Sequence, residues 1–144
     1  MFSPGPAHCQ ARELTVNLLF YMSGHMDTLT AVTALSALAQ DSRLRVFRLL
    51  IRAGTEGMAA GDIARTLDVP HNTLSSQLAI LSRAQLVQAR KEGRSVIYTV
   101  DLQGTRALLF YLVEDCCQGE PSVCAPLIES TLAGCCAHQG GNVP

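Results

Sequence analysis

Six cysteines are spread unevenly along this chain of 144 residues. Three of them, Cys116, Cys117 and Cys124, fall within nine positions of its C-terminal part, and the segment between the second and the third contains a glycine and a proline. Thiolates are the protein ligands that best match soft ions such as trivalent arsenic and antimony. This spacing predicts a three-sulfur site at these positions, with Cys135 and Cys136 as weaker candidate ligands.

The adjacent cysteines limit the chemistry of this site. The Cα atoms of Cys116 and Cys117 lie about 3.8 Å apart, which is shorter than the span of about 4.4–6.8 Å in most disulfides, so a bond between them would be strained. On an ideal helix their side chains diverge by about 100°. Both can bind one ion only where the helix frays, as Gly119 and Pro121 allow. The lack of a nearby histidine disfavours zinc, although a four-cysteine zinc site that also uses the later cysteine pair stays open.

Charge is distributed unevenly, although the whole chain carries only −1. Residues 26–100 have a net charge of +3, whereas residues 101–144 have −4. The basic part can meet nucleic acid, and the acidic part need not touch it. No apolar run reaches transmembrane length and no signal peptide is convincing, so we expect a cytoplasmic protein without a membrane partner. In a reducing cytosol, clustered cysteines indicate metal or redox chemistry.

The central part of the chain reads as a helix-turn-helix. A short helix is predicted over 63–67, a turn over 68–71 that contains Pro70, and a longer helix over about 73–83 that Asn72 would cap. The apolar face of the longer helix comprises Leu74, Leu78 and Leu81 at helical spacing. Its opposite face is slim and polar, so it could enter a DNA major groove.

Two runs rich in β-branched residues follow, over 86–90 and 95–100, with Gly93 in the turn between them. A hairpin with a basic tip after a helix-turn-helix is a wing. The predicted fold class is mainly α with a small β-hairpin, a winged helix-turn-helix. The same periodicity fits an ordinary small α/β core, but the slim polar face and the basic tip favour DNA binding. The predicted DNA-binding residues are His71, Asn72, Thr73, Ser75, Ser76 and Arg83 on the helix, and Arg90, Lys91 and Arg94 on the wing.

Further helices flank this motif. The helix that begins near Asp27 repeats Leu29, Val32, Leu35 and Leu38 among alanines. The next helix runs from Asp41 or Ser42 to about Arg52 and ends before Gly54. Its predicted core stripe is Leu44, Phe47, Leu50 and Ile51, with Val46 beside it. Its three outer arginines, Arg45, Arg48 and Arg52, fit a solvated face better than a contact with the DNA backbone. The last helix, from Asp101 or Leu102, is apolar nearly all round.

A helix apolar on every face must be buried, and a domain this small cannot cover it alone, so we expect a homodimer. The predicted domain organisation is an N-terminal extension over 1–25, a winged helix-turn-helix dimer domain over 26–117 and a cysteine-rich tail over 118–144. The extension is expected to be non-native, and disordered or loosely docked. The alternative is that it supplies one more dimer-packing helix.

Three stretches, 41–45, 69–81 and 90–98, together resemble the ArsR/SmtB family of metal-sensing repressors. The resemblance covers about residues 28 to 117. It implies a homodimer that represses by occupying double-stranded operator DNA and that leaves when an inducer binds. It also implies which recognition-helix residues face the DNA: Asn72, Thr73, Ser75, Ser76 and Gln77.

Two common sensor sites of that family are missing. The Cys-x-Cys pair before the recognition helix is replaced by residues 58–62, which contain no thiol, and the Asp-x-His of zinc sensors is replaced by Asp101-Leu102-Gln103. Residues 115–124 resemble arsenic-responsive members with three C-terminal cysteines. We therefore expect an arsenite-responsive repressor with As(III) as its inducer ligand, Sb(III) as a second candidate and no organic cofactor.

Two alternatives use the same cysteines. A thiol redox-sensing repressor would release DNA on oxidation rather than on metalloid binding. A thiol enzyme such as a reductase belongs to a different class, and the lack of a Cys-x-x-Cys motif disfavours it.

Overall fold

The computed structural model describes residues 26–113 and five later positions, Ser122, Ala125, Pro126, Glu129 and Ser130. The predictions for the extension over 1–25, for most of the tail and for all six cysteines lie outside the described residues. The predicted domain boundaries stay predictions.

Within residues 26–113, helices and strands follow in the order α1 (Thr28–Leu38), α2 (Asp41–Ala53), β1 (Met58–Ala59), α3 (Ala60–Leu67), α4 (His71–Arg83), β2 (Val87–Glu92), β3 (Ser95–Val100) and α5 (Leu102–Val113). Helices dominate, and the three strands form one antiparallel sheet in the order β1-β3-β2. The predicted winged helix-turn-helix fold is confirmed.

Hydrogen bonds hold both ends of α1, and those at its C-terminal end also fix the corner between α1 and α2. Asp27 caps its start, since the carboxylate accepts from the Thr30 N–H at 2.7 Å. At its end, the Arg43 guanidinium donates to the carbonyl oxygens of Ala37 at 2.6 Å and Ser36 at 3.2 Å. The last carbonyls of a helix have no partner within it, so Arg43 satisfies two of them. Arg43 therefore ties α2 to the C-terminus of α1.

The predicted core stripe of α2 is partly wrong. Val46 and Leu50 are fully buried, whereas Leu44 and Ile51 remain exposed by 41% and 47%. The core lies on the side of Val46 and Leu50 because α2 packs against β3 and α4. The N-cap is Gln40, one residue before the predicted cap, and the helix ends at Ala53, before Gly54, as predicted.

The wing is a hairpin with a two-residue turn, and a third strand that was not predicted pairs with it. Gly93 has φ +59° and is followed by Arg94, which has no positive φ, the pattern of a type II′ turn. β1 adds to the other edge of β3 through the pair Met58 and Tyr98. A Cβ on Gly57, just before β1, would overlap the Tyr98 carbonyl oxygen, so glycine permits this close approach.

One continuous hydrophobic core joins the helices to the base of the wing. Its fully buried large side chains come from α2, α3, α4 and the segment after α4. They are Val46, Leu50, Ile63, Leu74, Leu78, Leu81 and Leu86. The recognition helix α4 therefore has a fixed orientation relative to the wing.

Candidate nucleic-acid interface

The helix α4 begins at His71, two residues before the predicted start. Pro70 occupies the N-cap position, with φ −60° and ψ 143°, and no side chain caps the helix. The predicted capping role of Asn72 is wrong, because this residue already lies in the first turn. Its side chain is exposed and thus available to a partner.

The polar face predicted for α4 is turned outward. Six of the predicted DNA-binding side chains on this helix are exposed, whereas Leu74, Leu78 and Leu81 are buried beneath them. The exposed six are His71, Asn72, Thr73, Ser75, Ser76 and Arg83. Two of them also bond to their own helix, because Ser76 Oγ donates to the Asn72 carbonyl at 3.2 Å and Arg83 Nε to the Ala79 carbonyl at 3.3 Å. Their contact with DNA stays a prediction.

Gln77, the remaining residue of this helix that the family resemblance places at the DNA, does not face outward. Its side chain is only 7% exposed, and its Oε1 atom is buried without a hydrogen-bond partner among the described residues. The residue follows Leu74 by three positions and precedes Leu81 by four, which places it on the core side of the helix. A buried unpaired amide oxygen destabilises the fold.

The basic residues of the wing have two different roles. Lys91 and Arg94 are exposed at the tip of the hairpin. Arg90 is also exposed, but its guanidinium donates to the carbonyl oxygens of Thr55 at 3.1 Å and Glu56 at 2.8 Å and to Glu92 Oε1 at 2.7 Å. Arg90 therefore anchors the wing to the loop after α2, whereas the contact of Lys91 and Arg94 with phosphates stays a prediction.

The start of α5 is joined to the end of the recognition helix. The Asp101 N–H donates to the Leu86 carbonyl at 2.9 Å, and the Asp101 carboxylate accepts from the Gly104 N–H at 2.9 Å. A Cβ on Gly104 would overlap the carbonyl oxygen of Gln85, so only glycine permits this approach. Gln85 itself has φ +58°. The first turn of α5 therefore rests directly on the residues that follow α4.

An apolar surface, here called the α1/α5 face, remains uncovered. The two helices contact each other, and Thr28 Oγ1 lies 2.8 Å from Tyr111 Oη. On α1 the buried side chains are alanines, while Leu29 is 76% exposed. The other exposed apolar side chains of this face are Val32, Leu35, Leu109, Phe110, Leu112 and Val113. A patch of this kind is typical of a protein-protein contact.

The predicted metal ligands Cys116, Cys117 and Cys124, and the weaker Cys135 and Cys136, lie outside the described residues. Within residues 26–113 and the five later positions, no three His, Cys, Asp or Glu side chains come together as a metal site. In the same part of the chain, no helix is both long and apolar enough to cross a bilayer.

Comparison with known proteins identifies the family. A helix-turn-helix domain model matches residues 38–88. The chain is 32% identical over 88 residues to the transcriptional activator HlyU of Vibrio cholerae, and this alignment covers 61% of this chain and 79% of HlyU. It is 35% identical over 78 residues to the "Putative arsenical resistance operon repressor ArsR" of Halobacterium salinarum, which covers 54% of this chain and 60% of that protein. The chain belongs to the ArsR/SmtB family of winged-helix transcriptional regulators.

A solved structure of this ArsR/SmtB family agrees with the fold. It is a homodimeric winged helix-turn-helix DNA-binding domain from Mycobacterium bovis, with 25% identity and a TM-score of 0.51 over 78% of this chain and 91% of that chain. The curated relatives are regulators rather than enzymes. The prediction of a DNA-binding regulator that is not an enzyme is confirmed, and the thiol-enzyme alternative is dropped.

Proposed function

We propose that this ArsR/SmtB-family protein is an arsenite-responsive repressor, which binds double-stranded operator DNA as a homodimer in the cytoplasm. As(III), and Sb(III) by the same thiolate chemistry, would be held by Cys116, Cys117 and Cys124, with Cys135 and Cys136 as accessory ligands. The observation that carries the proposal is the course of α5. This helix starts against the end of the recognition helix and runs to Val113, three residues before the first of these cysteines.

The exposed side chains of α4 and of the wing tip support DNA binding. A slim polar helix face can enter the major groove, and the cations at Lys91 and Arg94 can meet phosphates. These two features belong to one rigid unit because Arg90 fixes the wing to the body. The unit would therefore dock on DNA without rearrangement.

The α1/α5 face supports the homodimer. Its many exposed aliphatic and aromatic side chains would be removed from water if two copies met there. The homodimeric M. bovis relative supports the same assembly. Two-fold symmetry would then present two recognition helices to a palindromic site.

Induction would act through α5. Binding of a metalloid beyond Val113 would change how the two copies of this helix pair. The close contact between Gly104 and Gln85 would transmit that change to α4. A shift in DNA occupancy from about 99:1 to 1:99 needs roughly 5.5 kcal/mol of differential affinity. Several arsenic–sulfur bonds per dimer could supply this free energy. By linkage, DNA would weaken arsenite binding by the same factor.

The clustering of the cysteines favours one second candidate, a repressor that senses thiol oxidation. The same cysteines could be oxidised to sulfenic acids or disulfides. This candidate shares the DNA and dimer surfaces and differs only in the signal.

A DNA-release assay separates these candidates. A duplex selected from a random library by the wild-type protein is labelled, and fluorescence anisotropy is followed on addition of As(III), Zn(II) or hydrogen peroxide. We expect release by As(III), and loss of that release in each of the variants Cys116→Ser, Cys117→Ser and Cys124→Ser. Release by peroxide alone would favour the redox sensor. Equal affinity for the duplex with and without As(III) would refute the arsenite proposal.

A further inference from the structure

A cavity of about 430 Å³ lies where the wing meets the body of the domain. Its walls come from the end of α2 and the loop after it, from β2 and β3, and from the first turn of α5. Its volume falls within the range of roughly 300–1,000 Å³ that is usual for small-molecule sites. No residue of the recognition helix is among its lining in the described part of the chain.

The apolar part of the cavity is only half covered. Leu50 and Val100 form a buried floor, whereas Ile51 on α2 and Leu102 on α5 are 47% and 57% exposed. The two exposed aliphatic side chains belong to different elements that border the same space. An apolar group bound between them would remove both from water.

Each charged group in the lining is held in place by the backbone. Arg90 is fixed by the carbonyl oxygens of Thr55 and Glu56 and by Glu92, and these three hydrogen bonds leave two of its five N–H groups without a partner among the described residues. Asp101 accepts the Gly104 N–H with Oδ1, and Oδ2 makes no such bond within this part of the chain. The cavity thus presents the guanidinium of the Arg90–Glu92 ion pair, with two N–H groups unused among the described residues, and the Asp101 carboxylate beside an apolar rim.

We propose that this cavity binds a hydrophobic amino acid or dipeptide. The carboxylate of such a zwitterion would bind Arg90, its ammonium group would bind Asp101, and its apolar side chain would lie between Ile51 and Leu102. The Asp101 backbone N–H also bonds Leu86, which follows the recognition helix. A ligand at this site therefore acts next to the joint between α5 and α4, independently of the cysteines.

Isothermal titration calorimetry on the full chain tests the chemical class. The probes are L-leucine and leucyl-leucine, and the matched analogues are N-acetyl-L-leucine, which lacks the ammonium group, and L-leucinamide, which lacks the carboxylate. We expect saturable binding of a zwitterion. Each analogue should bind with an affinity lower by about tenfold or more, because each lacks one charged hydrogen bond. Absence of saturable binding by both zwitterions overturns the proposal, and equal binding of the analogues overturns the assignment of the two charges.

Two variants and one control locate the site. Ile51→Trp fills the cavity from an exposed position, and Asp101→Asn removes the charge but keeps an oxygen that can accept the Gly104 N–H. We expect each to weaken binding about tenfold. Leu44→Trp, at a similarly exposed position on the same helix but outside the cavity, should bind like the wild type. If Ile51→Trp binds as Leu44→Trp does, the ligand lies elsewhere and the proposal fails.

Discussion

Gly104, in the first turn of α5, lies directly against Gln85, the second residue after the recognition helix. A Cβ at position 104 would overlap the Gln85 carbonyl oxygen and lie 3.0 Å from the carbonyl carbon. Neither backbone can yield easily, because Leu86 accepts the Asp101 N–H and Gln85 has a left-handed conformation. This contact fixes the angle between α5 and α4, and so between the α1/α5 face and the DNA-binding face.

The first prediction concerns this contact. Gly104→Ala should lower the free energy of unfolding by about 1–3 kcal/mol, as overpacking does, and should weaken DNA binding because α5 must shift. Urea unfolding at a fixed protein concentration and anisotropy on the selected duplex measure the two effects. Gly61→Ala is the matched control, since the nearest atom to its Cβ would be His71 Cε1 at 3.9 Å. Equal behaviour of the two variants would show that the contact does not set the helix angle.

The second prediction concerns the α1/α5 face. Leu109 is 58% exposed on α5, so Leu109→Asp should leave the monomer fold intact but place a charge in the dimer contact. We expect a monomer by light scattering at micromolar concentration, together with loss of tight DNA binding. Leu44→Asp is the control, because Leu44 is 41% exposed on α2 and is not part of this face, and this variant should remain a dimer. A dimer in both variants would move the subunit contact to another surface.

The sequence predicted those features that depend on local periodicity. The apolar stripe of α4, the end of α2 at Gly54, and the hairpin turn at Gly93 all follow from short-range rules, and all three are confirmed. On the recognition helix, Leu78 and Leu81 lie at helical spacing from Leu74 and are buried with it, and the polar residues other than Gln77 lie outside or at the margin of the core.

The features that the sequence could not predict depend on contacts between distant residues. β1 has two residues, which is too short for any alternation, and it exists because β3 has a free edge. The sequence alone does not distinguish Arg90 from the other basic residues of the wing, because its partners are the carbonyl oxygens of the distant residues 55 and 56. Gln77 was assigned to the DNA surface by family resemblance, although its helical position alone indicates the core side.

The third prediction follows from the burial of Gln77. Gln77→Leu should raise the free energy of unfolding by about 1–2 kcal/mol, because it removes a buried amide oxygen without a partner. DNA affinity should change by less than about twofold, since the side chain does not reach the outer face. Thr73→Ala, one turn earlier and exposed, should instead weaken DNA binding. A clear loss of DNA affinity in Gln77→Leu would restore this residue to the DNA surface.

The fourth prediction separates the tip of the wing from the outer face of α2. Lys91→Ala and Arg94→Ala should each weaken binding to every duplex and reduce the slope of log K against log salt by about 1.8, the value expected when the dimer loses one phosphate contact in each subunit. Arg48→Ala on α2 should leave the slope unchanged, in keeping with a solvated arginine face. Anisotropy titrations between low and moderate salt measure the slopes. A reduced slope for Arg48→Ala would bring α2 to the DNA backbone.

The last prediction concerns pH and the cap of α1. The hydrogen bond from the Thr30 backbone N–H, with that from its side chain, holds the pKa of Asp27 below its ordinary value of 3.8. A carboxyl group with a lowered folded-state pKa stabilises the fold fully above the unfolded-state pKa, and this stabilisation disappears as the pH falls through the folded-state pKa. Asp27→Asn keeps an acceptor for the cap but has no charge to lose. The melting temperature of the wild type should therefore exceed that of Asp27→Asn at neutral pH, and the difference should shrink only below about pH 4. A difference that stays constant from pH 7 to pH 3 would mean that the ionised carboxylate is not what stabilises the start of α1.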